Sequence, residues 1–304
     1  MISIVIPLYN KEKQIQNTLI SVFNQTFQEF EIIIVNDGST DNSVEIAKQF
    51  NDPRIRLIEQ KNQGVSAARN TGIKEAKYDY IALLDADDEW KPTYLETQLD
   101  LISSFPECSV YACAYEFRQG EKITPLILNK IPFEGEKGIL SNYFEIASCS
   151  HPPLWTSAVV AKKEAFLSVG GFPVGITSGE DLLIWARLAV KYKIAYSLRV
   201  EACFIIIKKI GNIPRKLPDN NDCVGIELRK IEKKTSLPFL RKYISKWYQM
   251  RAVNYFEGLN RIHAYNEIVK SIILNVLNVR SYFYLILFLF PYQLYYTIKK
   301  IVSK

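Results

Sequence analysis

The sequence predicts an α/β fold: a parallel sheet covered by helices on both faces, followed by a helical C-terminal extension. Three observations carry that reading. Short β-branched runs alternate with helix-spaced segments as far as residue 110, the pattern of parallel strands joined by crossover helices. Polar loops rich in carboxylates and turn residues follow the strands, above all Asp85-Ala-Asp-Asp88. Beyond Gly211 the spacing is helical to the end.

Ile2–Leu8 is a β-branched apolar run ended by Pro7 and Asn10, hence a buried strand. With no basic leader or cleavage site before it, this start reads as a strand and not a signal peptide. Apolar Ile15, Leu19, Ile20, Val22 and Phe23 predict a helix over 11–23 with Asn10 as N-cap. A strand over 31–35 enters the turn-rich loop Asn36-Asp-Gly-Ser-Thr-Asp-Asn42, and a helix runs on to residue 50. A strand over 55–58, a helix over 64–76 and a buried strand over 80–84 follow. After the acidic loop, Pro92 suits the first position of a helix to residue 105. Strands are expected over 110–117, 158–160, 194–198 and 203–207, and helices over 139–147, 163–169 and 178–191. The stretch 120–138 reads as a long connection. In the tail, helices are expected over 222–234, 238–259 and 264–277, then an apolar and aromatic run over 282–298 interrupted at Pro291.

The 304 residues can bury a large core, and 48% hydrophobic with 23% charged residues fits a globular protein. Charge is divided unevenly. Residues 1–207 hold 20 Lys and Arg against 26 Asp and Glu; residues 208–304 hold 18 against 6. Such a tail meets an anionic surface, and its apolar end selects lipid over nucleic acid. The cysteines Cys108, Cys113, Cys149, Cys203 and Cys223 form no CxxC pair and read as reduced thiols of a cytoplasmic protein. No GxGxxG follows the first strand, no GxxxxGK[ST] or GxSxG occurs, and only His151 and His263 are present. Dinucleotide, P-loop, serine-hydrolase and His-rich zinc chemistry are thereby disfavoured.

In a parallel sheet, ligands bind beyond the carboxyl ends of the strands. Pro7-Leu-Tyr-Asn10, Asn36-Asp-Gly-Ser39 and Asp85-Ala-Asp87 should meet there. Three carboxylates at Asp85, Asp87 and Asp88 are costly unless a cation relieves them, and oxygen ligands suit Mg2+ or Mn2+; alternatively they cap the next helix. Asp37 is either turn chemistry or a hydrogen-bonding partner for a base or ribose. Arg69 is either a surface arginine or a partner for a diphosphate. Ser178-Gly-Glu-Asp181 is either a capping box or a general base kept ionised by the helix N-terminus. Trp155, beside Pro152 and Pro153, is either core or a platform for a sugar ring, and His151 a loop residue.

Taken together, Ser3-Ile-Val-Ile-Pro-Leu-Tyr-Asn10, Val35-Asn-Asp-Gly-Ser-Thr-Asp41, Gly64-Val-Ser-Ala-Ala-Arg-Asn-Thr-Gly72, Leu84-Asp-Ala-Asp-Asp88, Gly170-Gly-Phe172 and Glu180-Asp-Leu-Leu-Ile-Trp-Ala-Arg187 resemble the family 2 glycosyltransferases over residues 2–210. The resemblance implies a GT-A-like, Rossmann-type, mixed and mainly parallel sheet flanked by helices. It implies an inverting, metal-dependent transfer of a sugar from a nucleotide-sugar donor, with UDP the commonest carrier, to a glycan or lipid-linked acceptor in cell-surface polysaccharide synthesis. Pro7, Tyr9, Asp37, Arg69 and Asp85 would bind the nucleotide. Asp87, with Asp85, would hold Mn2+ or Mg2+. Asp181 would be the catalytic base, and Glu180 would orient the acceptor or its loop. Many relatives carry His or Arg near the leaving diphosphate; here Lys208 and Lys209 stand in that stretch.

The expected organisation is a glycosyltransferase domain over 1–215, with a nucleotide-binding half (1–110) and an acceptor half (111–215), then a helical extension over 216–304. Residues 282–298 would be about 26 Å long as a helix, at the lower edge for spanning a bilayer. Their tyrosines, with Lys299, Lys300 and Lys304, suit the interface of an anionic membrane. The expectation is a cytoplasmic protein, peripheral on the inner face of the membrane, with burial in an oligomer as the other option. The competing functions are a nucleotidyltransferase, which wants a glycine-rich phosphate loop after the first strand, and a non-catalytic nucleotide-sugar-binding protein on the membrane.

Overall fold

The computed structural model describes residues 1–206 and 217–302. The chain divides into two compact units, Met1–Lys208 and Lys209–Lys304. The first is a mixed α/β sheet flanked by helices.

Strands β1 (Ile2–Leu8), β2 (Phe30–Asn36), β3 (Ile55–Glu59) and β4 (Tyr80–Leu83) pair in parallel, in the order β3-β2-β1-β4. All seven residues of β1 and of β2 are buried, as expected of central strands covered on both faces. Alternation along β1 divides its side chains. Ile2, Ile4 and Ile6 join the core cluster containing Ile15, Leu19 and Val22 of helix α1 (Ile15–Phe23) and Val44 of helix α2 (Ser43–Lys48). Val5 points the other way, onto Gly72 of helix α3 (Val65–Glu75). Each such aliphatic side chain contributes about 1.5–3 kcal/mol on burial, so a one-residue slip of β1 would forfeit both faces.

The second half of the sheet is less regular. Beyond β4 the order continues β9-β6-β10-β5, with β5 (Glu89–Trp90), β6 (Val110–Gln119), β9 (Val159–Lys162) and β10 (Ile194–Ile205). β9 runs antiparallel to both β4 and β6, while β6 and β10 are parallel. The connection over 120–138 contains β7 (Lys122–Pro125), on β6, and the start of β8 (Lys137–Ile139), on β10. The two strands expected over 194–198 and 203–207 are one over Ile194–Ile205, because bulges between Ser197 and Ala202 absorb exposed Leu198 and Arg199 without breaking the pairing; residue 207 lies outside the described residues.

Several helix starts move. α1 begins at Ile15 because Asn10 takes a left-handed conformation and spends its side chain on Thr40 N. Helix α4 (Tyr94–Ser104) begins two residues after Pro92, and Thr93 is its N-cap. Helices α5 (Tyr143–Cys149) and α6 (Lys163–Ser168) precede α7 (Glu180–Lys191). The N-cap of α7 is Gly179 in the left-handed conformation, so the expected capping box does not set its start.

The second unit is helical: α8 (Cys223–Lys234), α9 (Leu240–Glu257), α10 (Arg261–Leu274), α11 (Val279–Leu287) and α12 (Tyr292–Val302). Asp222 caps α8 through Gly225 N, and Asn260 and Asn278 cap α10 and α11. Pro291 separates α11 from α12, so the apolar run is two short helices.

Candidate active site

The carboxyl ends of β1, β2 and β4 meet, as the topology requires, around a pocket of about 390 Å³. Pro7, Tyr9, Asp37, Arg69, Asp85 and Asp87 all line it. The loop after β1 is tied to the loop after β2. Lys11 N donates to Ser43 Oγ at 2.7 Å, Glu12 N to Asp41 Oδ2 at 3.1 Å, and Thr40 N to Asn10 Oδ1 at 2.8 Å. These bonds hold Tyr9 at the mouth, where its ring is half-exposed.

Asp37 is buried, and its two oxygens organise the loop after β3. Gln60 Nε2 and Gln63 N donate to Oδ1, and Gly64 N donates to Oδ2, at 2.7, 2.9 and 2.8 Å. Its neighbour Gly38 has φ +75°, and a Cβ there would press on Asn62 N at 3.1 Å, so glycine is required. The turn reading of this motif and its place in the pocket are thus both present.

Arg69 is the junction of the site. The guanidinium is buried, donates to Asp85 Oδ1 at 2.6 Å, approaches Glu180 Oε1 at 3.6 Å and lies over the Phe172 ring at 5.0 Å. It is not a surface arginine. Its next residue, Asn70, clamps the Gly170-Gly-Phe172 turn: Asn70 Nδ2 donates to Phe172 O at 2.8 Å, and Phe172 N donates to Asn70 Oδ1 at 2.7 Å. A Cβ on Gly171 would meet Asn70 Oδ1 at 2.5 Å, which accounts for that glycine. Helix α3 therefore holds the turn from which the chain proceeds to α7, and it brings Glu180 and Asp181 to Arg69 and Asp85.

Burial raises Asp181 above the ordinary carboxylate range, against the Leu182 N–H bond and the Arg69 charge that lower it. Glu180 is raised by burial and then by Asp181, with Arg69 opposing. At Asp181 burial is the largest influence, and the Leu182 N–H at the start of α7 works against it, in the direction expected of the helix N-terminus. The cap reading is corrected for Asp88. It caps no helix; it is buried and accepts from Ser157 Oγ at 2.5 Å, Trp155 Nε1 at 3.2 Å and Ile205 N at 3.3 Å. Burial, and then the charge of Asp85, push it up to about 7. Trp155 packs on Tyr115 and Phe204 and is held through its indole by Asp88. His151 is a loop residue, with Nδ1 accepting from Ile127 N.

Asp85 and Asp87 are each engaged by a cation, Asp85 by Arg69 and Asp87 by Lys11. Among the described residues no three His, Cys, Asp or Glu side chains form a ready metal cage. The donor set still fits a divalent ion. Asp85, Asp87, Glu180 and Asp181 outnumber Lys11 and Arg69, all their ligand atoms are oxygens, and Mg2+ commonly takes one or two carboxylates and completes its shell with phosphates.

Sequence reasoning missed Lys11 and Asn62, which also line the pocket, and Ser157, which joins Asp85 N to Asp88. The signal for Asn62 was the end of β3, a fourth strand end on the same rim. Lys208 and Lys209 lie outside the described residues.

Residues 3–159 match the sequence model of Glycosyl transferase family 2. The chain belongs to that family. It is 50% identical over 102 residues to the uncharacterized glycosyltransferase YibD of Escherichia coli K12, covering 33% of this chain and 30% of that protein. It is 40% identical over 123 residues to the putative glycosyltransferase EpsH of Bacillus subtilis, covering 40% and 36%. The matched segments thus span about a third of these relatives. The fold is shared with Staphylococcus aureus TarS 1–349 solved with UDP-GlcNAc, at a TM-score of 0.67 and 18% identity over 89% of this chain and 81% of that one. It is also shared with the Pyrobaculum calidifontis mannosyltransferase PcManGT solved with GDP-Man and Mn2+, at 0.57 and 14% over 100% and 87%.

Proposed function

We propose that the domain over 1–215 transfers a sugar, with inversion, from a nucleoside-diphosphate sugar to a hydroxyl of a glycan or lipid-linked acceptor, a step of cell-surface polysaccharide synthesis. A UDP-sugar is the first donor to try, since TarS was solved with UDP-GlcNAc. The observation that supports the reading most is Arg69, which links the strand-end pocket through Asp85 to the carboxylates of Glu180 and Asp181.

In this mechanism Tyr9, Pro7 and Asp37 take the base and ribose, with Asp85 at the nucleotide. Arg69 and Lys11 supply positive charge for the diphosphate. Mn2+ or Mg2+ on Asp87 and Asp85, when bound, neutralises charge on the leaving group. The Asp181 carboxylate takes the proton of the acceptor hydroxyl. The freed oxygen forms its bond to the anomeric carbon as the bond to the phosphate oxygen breaks, and the nucleoside diphosphate departs with the electron pair. Burial that raises Asp181 makes it a stronger base. Glu180 orients the acceptor or its loop. The work is done in the cytoplasm with the chain peripheral on the inner membrane face, its basic C-terminal tail meeting anionic lipid.

The test is diphosphate release from a panel of nucleotide sugars with Mn2+. Release from at least one donor is expected. Release from none, with no calorimetric binding of UDP or GDP, overturns the reading. Asp181→Asn should bind nucleotide normally and lose transfer by about 10²–10⁴-fold; normal transfer would remove Asp181 as the base.

A further inference from the structure

The helical unit has an apolar core around Phe256, Ile268, Leu287 and Phe288, but at one end it pairs a buried polar seam with an exposed apolar face. Where α9, α10 and α11 pack together, the fully buried residues include Ser245, Ser271 and Ser281. They form one hydrogen-bonded ladder. Ser245 Oγ and Ser271 Oγ are 2.9 Å apart, Ser271 Oγ and Ser281 Oγ 2.8 Å, and each of the first two also donates to the other's carbonyl. Asn278 Nδ2 closes the ladder on Ser245 Oγ at 3.2 Å.

The outward face is apolar instead. Along α11, Val279, Tyr282, Phe283 and Ile286 fall at the spacing of one helical face, and all four are exposed. The corner between α10 and α11 is the most exposed apolar point, with Val276, Leu277 and Val279 at 64%, 81% and 77%. At this corner, unlike the core around Phe256 and Phe288, the apolar residues face outward and the serines inward. Small polar residues between helices, with apolar residues outside, is the packing used where lipid is the solvent.

Charge selects the occupant. From residue 258 to 304 the sequence has one acid, Glu267, and it is buried and spent on Arg251 and Lys270. Exposed Lys270 and Arg280 flank the corner. A second copy of this face, meeting it about a twofold axis, would bring those cations together. An anionic bilayer would pair with them. Among the described residues no helix is long and apolar enough to cross a membrane, so the contact is with the surface.

We propose that the α10–α11 corner, Val276 to Val279, together with the outer face of α11, inserts into the interface of an anionic bilayer. This deepens the membrane part of the proposed function by moving the point of insertion from the last helix to this corner. It would hold the chain where a lipid-linked acceptor lies.

The test is co-sedimentation of the full chain with phosphatidylcholine vesicles, with and without phosphatidylglycerol. Binding to the anionic vesicles, weakened by salt, is expected, and Leu277→Glu with Val279→Glu should lower the partition coefficient at least about tenfold. Leu277→Glu alone gives a milder variant, and wild-type helical content by circular dichroism with an unchanged thermal midpoint certifies the fold of both. Unchanged vesicle binding by the folded double variant overturns the proposal. So does a wild-type chain that ignores anionic vesicles, or one that dimerises through this face and is made monomeric by the variants. Vesicle binding and nucleotide binding are read separately, so loss of one leaves the other reading standing.

Discussion

Two arginines, Arg69 in the sheet unit and Arg251 in the helical unit, are buried to the same degree, each 4% exposed. Each faces carboxylates and an aromatic ring, yet their hydrogen bonding differs. Arg251 is the more fully bonded: Nε donates to Glu267 at 2.8 Å and Nη2 to Asp219 O at 3.0 Å and to Tyr255 Oη at 3.4 Å, while Nη1 lies 3.6 Å from Asp222, as Arg69 Nη1 does from Glu180. Around it Glu267 and Asp222 are matched by Arg251 and Lys270. Arg69 makes one short bond, to Asp85, while its Nε and Nη1 have no hydrogen-bond partner among the described residues. An unmet donor in a buried place is costly. A closed network is what stability alone would build; an open one beside a pocket leaves capacity for an incoming anion.

The largest expected effect separates the two roles. Arg251→Met leaves Glu267 and Asp222 without their central cation and should cost about 3–5 kcal/mol, read by denaturant unfolding. The fraction that stays folded should bind UDP as the wild type does. Arg69→Met should reverse the emphasis, with UDP affinity and transfer falling about 100-fold, and with no rise in thermal midpoint on adding UDP at a concentration that stabilises the wild type. Equal UDP response in the two variants would dissolve the distinction.

The sheet was legible where periodicity is strong. β1, β2 and β4 are short apolar runs, fully or nearly buried, and β3 is a half-buried run at the sheet's edge, so their ends, and with them Asp37 and Asp85, fall on one rim by pattern alone. What escaped depends on partners far away in sequence. Asn10 looked like a cap because nothing local shows that Thr40 N claims its side chain. Asp88 looked like a cap because the donors to its carboxylate, Trp155, Ser157 and Ile205, arrive from the segment just before β9 and from the end of β10. The link between Asn70 and Phe172 spans 102 residues, and it is this link that brings Asp181 to the site. The two-residue strand β5 has no periodicity to read.

The open network also predicts a pH response. Burial raises Asp181 and Glu180, and the Arg69 charge opposes the rise. The base works only when ionised, so transfer is full above the raised pKa and is lost as pH falls through it. The acid limb of kcat should therefore lie above the ordinary carboxylate range, and Arg69→Met should move it higher still. A limb at an unperturbed aspartate's pKa, or one unmoved in Arg69→Met, would break the assignment of Asp181 to that limb.

The smallest effect is expected at Lys11, whose ion pair with Asp87 is partly exposed, 33% and 27%. Pairs so open to water are worth at most about 1 kcal/mol, or about fivefold in an equilibrium constant. Lys11 competes for Asp87 with any divalent ion, while its charge favours the diphosphate. Lys11→Met should thus act in opposite directions on the two ligands. Mn2+ binding to the nucleotide-free chain, measured by calorimetry, should tighten up to about fivefold, and UDP binding without metal should weaken by a similar factor. The backbone at residue 11 is held by Ser43 Oγ and not by the ammonium group, so the thermal midpoint should stay put. Weaker binding of both ligands would mean that Lys11 supports the loop and does not oppose the cation, and Asp87 would then lose its claim to the metal.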